Sequence, residues 1–124
     1  MCVMNNIKLA IITLSSLISL YLIHIYGISK HLYVGIWYYD LIAHFLGGIC
    51  LALSALYILK NPKYIILITF ILGVMWEIYE WYFNLTGHPF GSYEYNFDTI
   101  KDLIVDTIGA VFVWYIVSRN KIRK

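Results

Sequence analysis

Residues 36–58 read IWYYDLIAHFLGGICLALSALYI. Coiled as a helix at roughly 1.5 Å per residue, this stretch crosses the ~30 Å of a bilayer's hydrocarbon core. Nearly every side chain in it suits lipid. Asp40 and His44, one helical turn apart, do not. The stretch is expected to be a membrane-spanning helix with an acid and an imidazole on one face.

The rest of the 124-residue chain agrees, being 61% hydrophobic and only 13% charged, with a mean hydropathy of +0.74. A water-soluble domain of this length carries about twice that charged fraction. The charges gather at the ends of long apolar runs, the pattern of an integral membrane protein. A formal net charge of +2 is too small and too dispersed for nucleic acid, and no nucleic-acid-reading motif is present. Cys2 and Cys50 are far apart with no CxxC, which excludes a disulfide framework and a zinc knuckle. Cys50 reads as a small apolar helix residue. The first 26 residues have the basic flank and apolar stretch of a signal peptide. No small-x-small cleavage site follows, so they read as an uncleaved first span.

The expected fold is all-α: a polytopic membrane protein forming a four-transmembrane-helix bundle, one integral membrane domain over residues 1–124. The spans fall near residues 7–26, 36–58, 64–85 and 99–118, joined at 27–35, 59–63 with its Asn61-Pro62 turn, and 86–98. Lys8, Lys60, Lys63, Arg119, Lys121, Arg123 and Lys124 lie on the side of the termini; only Lys30 and Lys101 lie on the other. This bias places both termini in the cytoplasm of a cell whose inner membrane holds the protein.

The acids are equally one-sided. Every Asp and Glu occupies position 40, 77, 80, 94, 98, 102 or 106, in the outer half of a span or the outer loop. Insertion rules hardly constrain acids, so topology does not explain this. Counting from the outer end of each span, Asp40, Glu80 and Asp102 lie about 5–8 Å deep, and His44, Glu77 and Asp106 roughly 10–12 Å deep. Helical rotation puts Asp40 with His44 on one face, Glu77 with Glu80 on a second, and Asp98, Asp102 and Asp106 on a third. The three faces can close on one interior pocket.

An ionised acid deep in a span costs on the order of 2.5–3.5 kcal/mol even on a lenient scale. Several together repel, so protons or a cation must neutralise them. Carboxylates with one imidazole suit a divalent metal ion, with Asp40, His44, Glu77, Glu80, Asp102 and Asp106 as candidate ligands. Glu77, Glu80 and Asp106 are the candidate catalytic carboxylates. Blander readings stand beside these. Asp40, Glu94 and Asp98 also fit a solvated interface, and Lys101 fits a counter-ion for Asp98 or Asp102, or a phosphate contact. Trp37-Tyr38-Tyr39, Trp81-Tyr82-Phe83 and Trp114-Tyr115 read as interfacial aromatic belts. Asn84-Leu85-Thr86 matches a glycosylation pattern too close to the membrane to use.

The element Asp40-Leu-Ile-Ala-His44-Phe45 with Gly47, then Trp76-Glu77-x-x-Glu80-Trp81, then Asp98-x-x-x-Asp102 with Gly109-Ala110, resembles the YjdF-like inner-membrane proteins. D-x-x-x-H-F, and Asp102 followed by a polar residue and Gly109, also resemble the VanZ-like proteins. The resemblance covers residues 36–112 and leaves span one unmatched. It implies small multi-span membrane proteins, some linked to the cell envelope and glycopeptide resistance, without an agreed reaction. VanZ-like proteins usually carry Asn where this chain has Asp106, and an Arg before the last span that this loop lacks.

Three functions compete. The first is a metal-dependent hydrolase or transferase acting on envelope lipid or a lipid-linked phosphate. The second is a non-enzymatic envelope assembly or sensing protein. The third is an ion or proton transporter, against which the cytoplasmic halves of all spans lack aspartate, glutamate and histidine. The topology is directly testable. In a chain lacking Cys2 and Cys50, Ser92→Cys is expected to react with a membrane-impermeant maleimide from outside intact cells; reaction only from the cytoplasmic face reverses the orientation.

Overall fold

The structure, a computed structural model, describes residues 6–83 and 87–122. Its elements are α1 (Asn6–Ser29), a single-turn α2 (Leu32–Gly35), α3 (Trp37–Leu59), a 3₁₀ turn at Pro62–Tyr64, α4 (Ile65–Tyr82) and α5 (Tyr93–Ile122). Three segments, Asn6–Ser29, Trp37–Leu59 and Pro62–Tyr82, are long and apolar enough to cross a membrane. The 30-residue α5 is the longest helix, but its first half carries Glu94, Asp98, Lys101, Asp102 and Asp106.

The helix ends follow local chemistry that hydropathy does not see. α5 begins at Tyr93 rather than near Thr99, because the Ser92 hydroxyl accepts the Tyr95 N–H at 3.2 Å and caps the first turn. Gly91, at φ 78°, turns the chain into that cap. α1 runs on to Ser29 instead of ending near 26, and α4 ends at Tyr82, short of 85. α3 stops where Lys60 adopts φ 55° and donates its N–H to the Leu56 carbonyl at 2.8 Å. Pro62 cannot extend that helix, and the Asn61 side chain instead accepts the Lys63 N–H at 3.1 Å. Cys2 and the Asn84-Leu85-Thr86 pattern lie outside the described residues.

Helix α3 is the centre of the bundle and packs against α1, α4 and α5, while α4 also packs on α5. Among the described residues the α1 backbone comes close only to α2 and α3. The most extensive contact is α3 with α5, and glycine explains it. A Cβ on Gly109 would stand 2.5 Å from the Phe45 carbonyl oxygen and 2.9 Å from the Ile49 nitrogen, and one on Gly48 would run into the Asp106 backbone. The two helices therefore cross backbone to backbone, as small residues permit inside a membrane.

Packing divides the bundle along its length. Leu9, Ala52, Leu53, Ala55, Leu56, Ile65, Ala110 and Val113 bury one another toward the end that holds the α3–α4 turn. The opposite end is where the acids collect. The outer surface is apolar, with Ile11, Leu14, Ile18 and Leu22 of α1 and Ile100, Ile104 and Ile108 of α5 exposed, and on the spans such a surface suits lipid better than water.

The crossing yields a contrast between neighbouring glycines. Gly48→Ala and Gly109→Ala should each destabilise the protein by about 1–3 kcal/mol through overpacking. At Gly47 an added Cβ stands 3.6 Å from Asp106 Oδ1, an ordinary contact, so Gly47→Ala should be neutral or slightly stabilising. Thermal melts in one detergent check the order.

Candidate functional site

At the acidic end, α3 contributes Asp40 and His44, α4 contributes Glu77 and Glu80, and α5 contributes Asp98, Lys101, Asp102 and Asp106. His44 is the hub. Its Nδ1 lies 3.4 Å from Asp106 Oδ1, and its Nε2 lies 3.6 Å from Asp40 Oδ1 and 3.7 Å from Asp102 Oδ2. The six expected ligands thus come together, through an imidazole long enough to reach acids one turn apart on α5. Exposure is 2% for Asp102, 4% for Glu77 and Asp106, and 9% for His44. Asp40 and Glu80 are half-buried.

The expected division into shallow and deep tiers does not hold. Asp102 is as buried as the residues one turn further in, because His44 covers one of its oxygens and Lys101 the other. Lys101 Nζ bonds Asp98 Oδ1 at 2.5 Å and stands 3.3 Å from both Asp40 Oδ2 and Asp102 Oδ1. It is a counter-ion to three acids at once, on two helices. Unit charges about 4 Å apart attract by about 4 kcal/mol at an effective dielectric near 20, enough to offset much of the cost of taking the pair out of water.

Asp106 owes its place to two glycines. Gly48 lets its backbone approach α3, and a Cβ on Gly73 of α4 would press to 3.1 Å from Oδ2. A carboxylate so enclosed, with His44 against it, is held rather than free to turn.

Glu77 is different. Its Oε1 is buried without a hydrogen-bond partner, and the neighbouring Thr99 hydroxyl also lacks one. Asp102 Oδ1, although it too makes no hydrogen bond of good geometry, has the Lys101 ammonium beside it. Buried oxygens without a well-aligned donor cost about 1–3 kcal/mol or more, and Glu77, with the Thr99 hydroxyl beside it but no lysine or arginine, marks the place where the site lacks a positive partner. Two triads offer donor atoms within 4.8 Å of one another: Asp40, His44 and Asp102, and His44, Glu77 and Glu80. Donors around an ion at about 2.1 Å stand roughly 3–4 Å apart, a spacing that small side-chain rotations reach.

A cavity of about 600 Å³ opens beside this cluster, with Asp40, His44, Glu80 and Asp106 in its wall. Its other walls are mostly apolar, from Leu17, Leu20 and Tyr21 of α1 to Leu51 of α3 and Leu72 and Met75 of α4. Helix α1 is therefore more than a support facing lipid: it walls the cavity. Aromatic contacts hold it there. Tyr39, expected in an interfacial belt, turns inward and donates its hydroxyl to the Ile23 carbonyl at 2.6 Å, whereas Trp37 and Tyr38 stay exposed. Tyr33 packs edge-on against Tyr39, and its hydroxyl shares a 2.8 Å hydrogen bond with His24 Nδ1. Burial pushes the Tyr33 phenol up to about 12, so it makes that bond as a neutral hydroxyl. His24 and Tyr33 also line the cavity. The polar character of His24 inside an apolar run was the available sequence signal; nothing marked the single turn that presents Tyr33.

Residues 2–123 match the family described as "Predicted membrane protein (DUF2238)", and the chain belongs to that family. No curated protein and no solved structure matches it.

If Lys101 is the counter-ion for Asp102, Lys101→Gln leaves a buried charge uncompensated and should cost on the order of 3 kcal/mol. Adding Asp102→Asn should then recover part of the loss, while adding Asp98→Asn recovers less. A double-mutant thermal series measures both couplings.

Proposed function

We propose that the protein crosses the cell's inner membrane four times with both termini in the cytoplasm. Its carboxylate and imidazole pocket, in the outer half of the bilayer, holds a divalent metal ion and acts on an envelope lipid or lipid-linked phosphate as a hydrolase or transferase. The observation that carries this reading is the cavity, whose wall joins Asp40, His44, Glu80 and Asp106 to a long apolar surface. The backbones of its two flanking helices, α1 and α4, do not come close to each other among the described residues. A lipid chain can enter between them and bring its phosphate to the acids, a volume of this size being typical of small-molecule sites.

The pocket's own charge would repel a phosphate. A divalent ion would reverse that: held by residues drawn from Asp40, His44, Glu77, Glu80, Asp102 and Asp106, it would supply positive charge against phosphoryl oxygens. Glu80, half-buried at the cavity wall, takes the proton of the attacking water. The water oxygen bonds to phosphorus as the bond from phosphorus to the lipid oxygen breaks, and the proton passes to the departing oxygen. Glu77 and Asp106 keep the centre anionic, and Asp106 orients His44.

One observation favours the second reading, a non-enzymatic assembly or sensing protein: Lys101 ties α3 to α5 through Asp40, Asp98 and Asp102, as a purely structural ion-pair network does. The test separates them. Purified protein with vesicles of phosphatidic acid or a long-chain prenyl diphosphate should release phosphate in Mn²⁺ or Mg²⁺ and stop in chelator. Glu80→Gln should lower the rate by about 10²–10⁴. Equal rates in the variant, or none in the wild type, favour the structural reading.

A further inference from the structure

The two triads share His44, so a single ion must choose between them. We infer that the divalent ion seats on His44, Glu77 and Glu80, and that Lys101 is a built-in cation that already fills the electrostatic role in the Asp40–His44–Asp102 triad. This rests on the metal-dependent reading above and narrows it.

Charge decides the choice. Asp40 and Asp102 each turn one oxygen to the Lys101 ammonium at 3.3 Å, and Asp98 Oδ1 bonds the same ammonium. A divalent ion placed between those two aspartates would face the lysine across one carboxylate, and the attraction that holds Lys101 there becomes repulsion for a second cation. Glu77 and Glu80 have no lysine or arginine ion-paired to them among the described residues.

Burial points the same way. Glu77 Oε1 is the orphan: a carboxylate oxygen in a residue 4% exposed, without a hydrogen bond. Its side chain, the His44 ring and Glu80 bring one donor atom each within 4.8 Å of one another. Asp106, against Nδ1 of His44 at 3.4 Å, holds the ring as the supporting carboxylates of ligating histidines do. Glu80 reaches the cavity and Glu77 does not, so an ion on this triad is anchored from inside by Glu77 and presented to a ligand beside Glu80. Two carboxylates and an imidazole suit Mn²⁺, Fe²⁺ or Zn²⁺.

Mn²⁺ titrated into the purified full chain in detergent, followed by calorimetry and electron paramagnetic resonance, tests the assignment. The wild type should bind one ion per chain. Supporting groups around a metal are worth about 10–100-fold in affinity, and a ligand at least as much, so Glu77→Gln and Glu80→Gln should each weaken binding by about 100-fold or more. Asp40→Asn should change it by less than about 10-fold. Circular dichroism and a thermal melt of each variant establish that it is folded, and the two independent glutamate variants keep the test valid if one is not. Asp40→Asn weakening binding as much as Glu77→Gln, or two ions per wild-type chain, overturns the assignment. A wild type that binds no Mn²⁺ overturns both this site and the proposed chemistry, whereas a bound ion without phosphate release overturns the chemistry alone.

Discussion

The backbone contact between α3 and α5 is what the polar end of the molecule depends on. Gly48 and Gly109 let the two helices meet without an intervening Cβ, and that closeness brings the Asp106 carboxylate against His44. With larger residues at the crossing, α5 would stand away from α3. His44 would then lose its reach to Asp106 and Asp102, and Lys101 its reach to Asp40. Few attractive forces between helices remain once lipid replaces water, so close van der Waals packing and polar contacts must hold a bundle of this kind together. Here both come from the same crossing.

Once the acids are enclosed, their energetics is a matter of counter-charge. Asp40, Asp98 and Asp102 gather around one ammonium, and the network spans two helices, so it also sets the register of α5 on α3. Glu77 lacks such a partner. The contrast between a satisfied set and an unsatisfied one, both within reach of one histidine, is what gives the cluster a direction. The lysine marks the part that is complete within the chain, and the orphan oxygen marks the part that is not.

Helix α1 adds the third ingredient. Among the described residues its backbone approaches the rest of the bundle at α2 and α3 only, held at its far end by Tyr39, Tyr33 and His24. A helix attached along one side leaves a gap on the other, and that gap is the apolar cavity that reaches the acids. The cavity is therefore a consequence of incomplete packing by α1, not of a hole in the core, which is closed at the opposite end by Leu9, Ile65 and small alanines.

Much of this was legible in residue order alone. Long apolar runs determine helices in lipid, because no other local structure satisfies its backbone there, and helical periodicity determines that Asp40 and His44, or Asp98, Asp102 and Asp106, share a face. Charge composition alone identifies the family of places such a chain can live. Other features depend on tertiary structure. Burial does not follow the expected depth at Asp102, since His44 on α3 and the adjacent Lys101 cover its oxygens whatever its distance along α5. The start of α5 depends on a serine cap, a local hydrogen bond that hydropathy ignores. The role of α1 as a cavity wall, and the inward turn of Tyr39, arise from which helices touch, and periodicity says only which face a residue occupies, not what that face meets. The sequence by itself determined which residues are polar in an apolar solvent; only the glycine crossing of α3 and α5 decided which of them meet, because contact between side chains from separate helices depends on how closely the backbones approach.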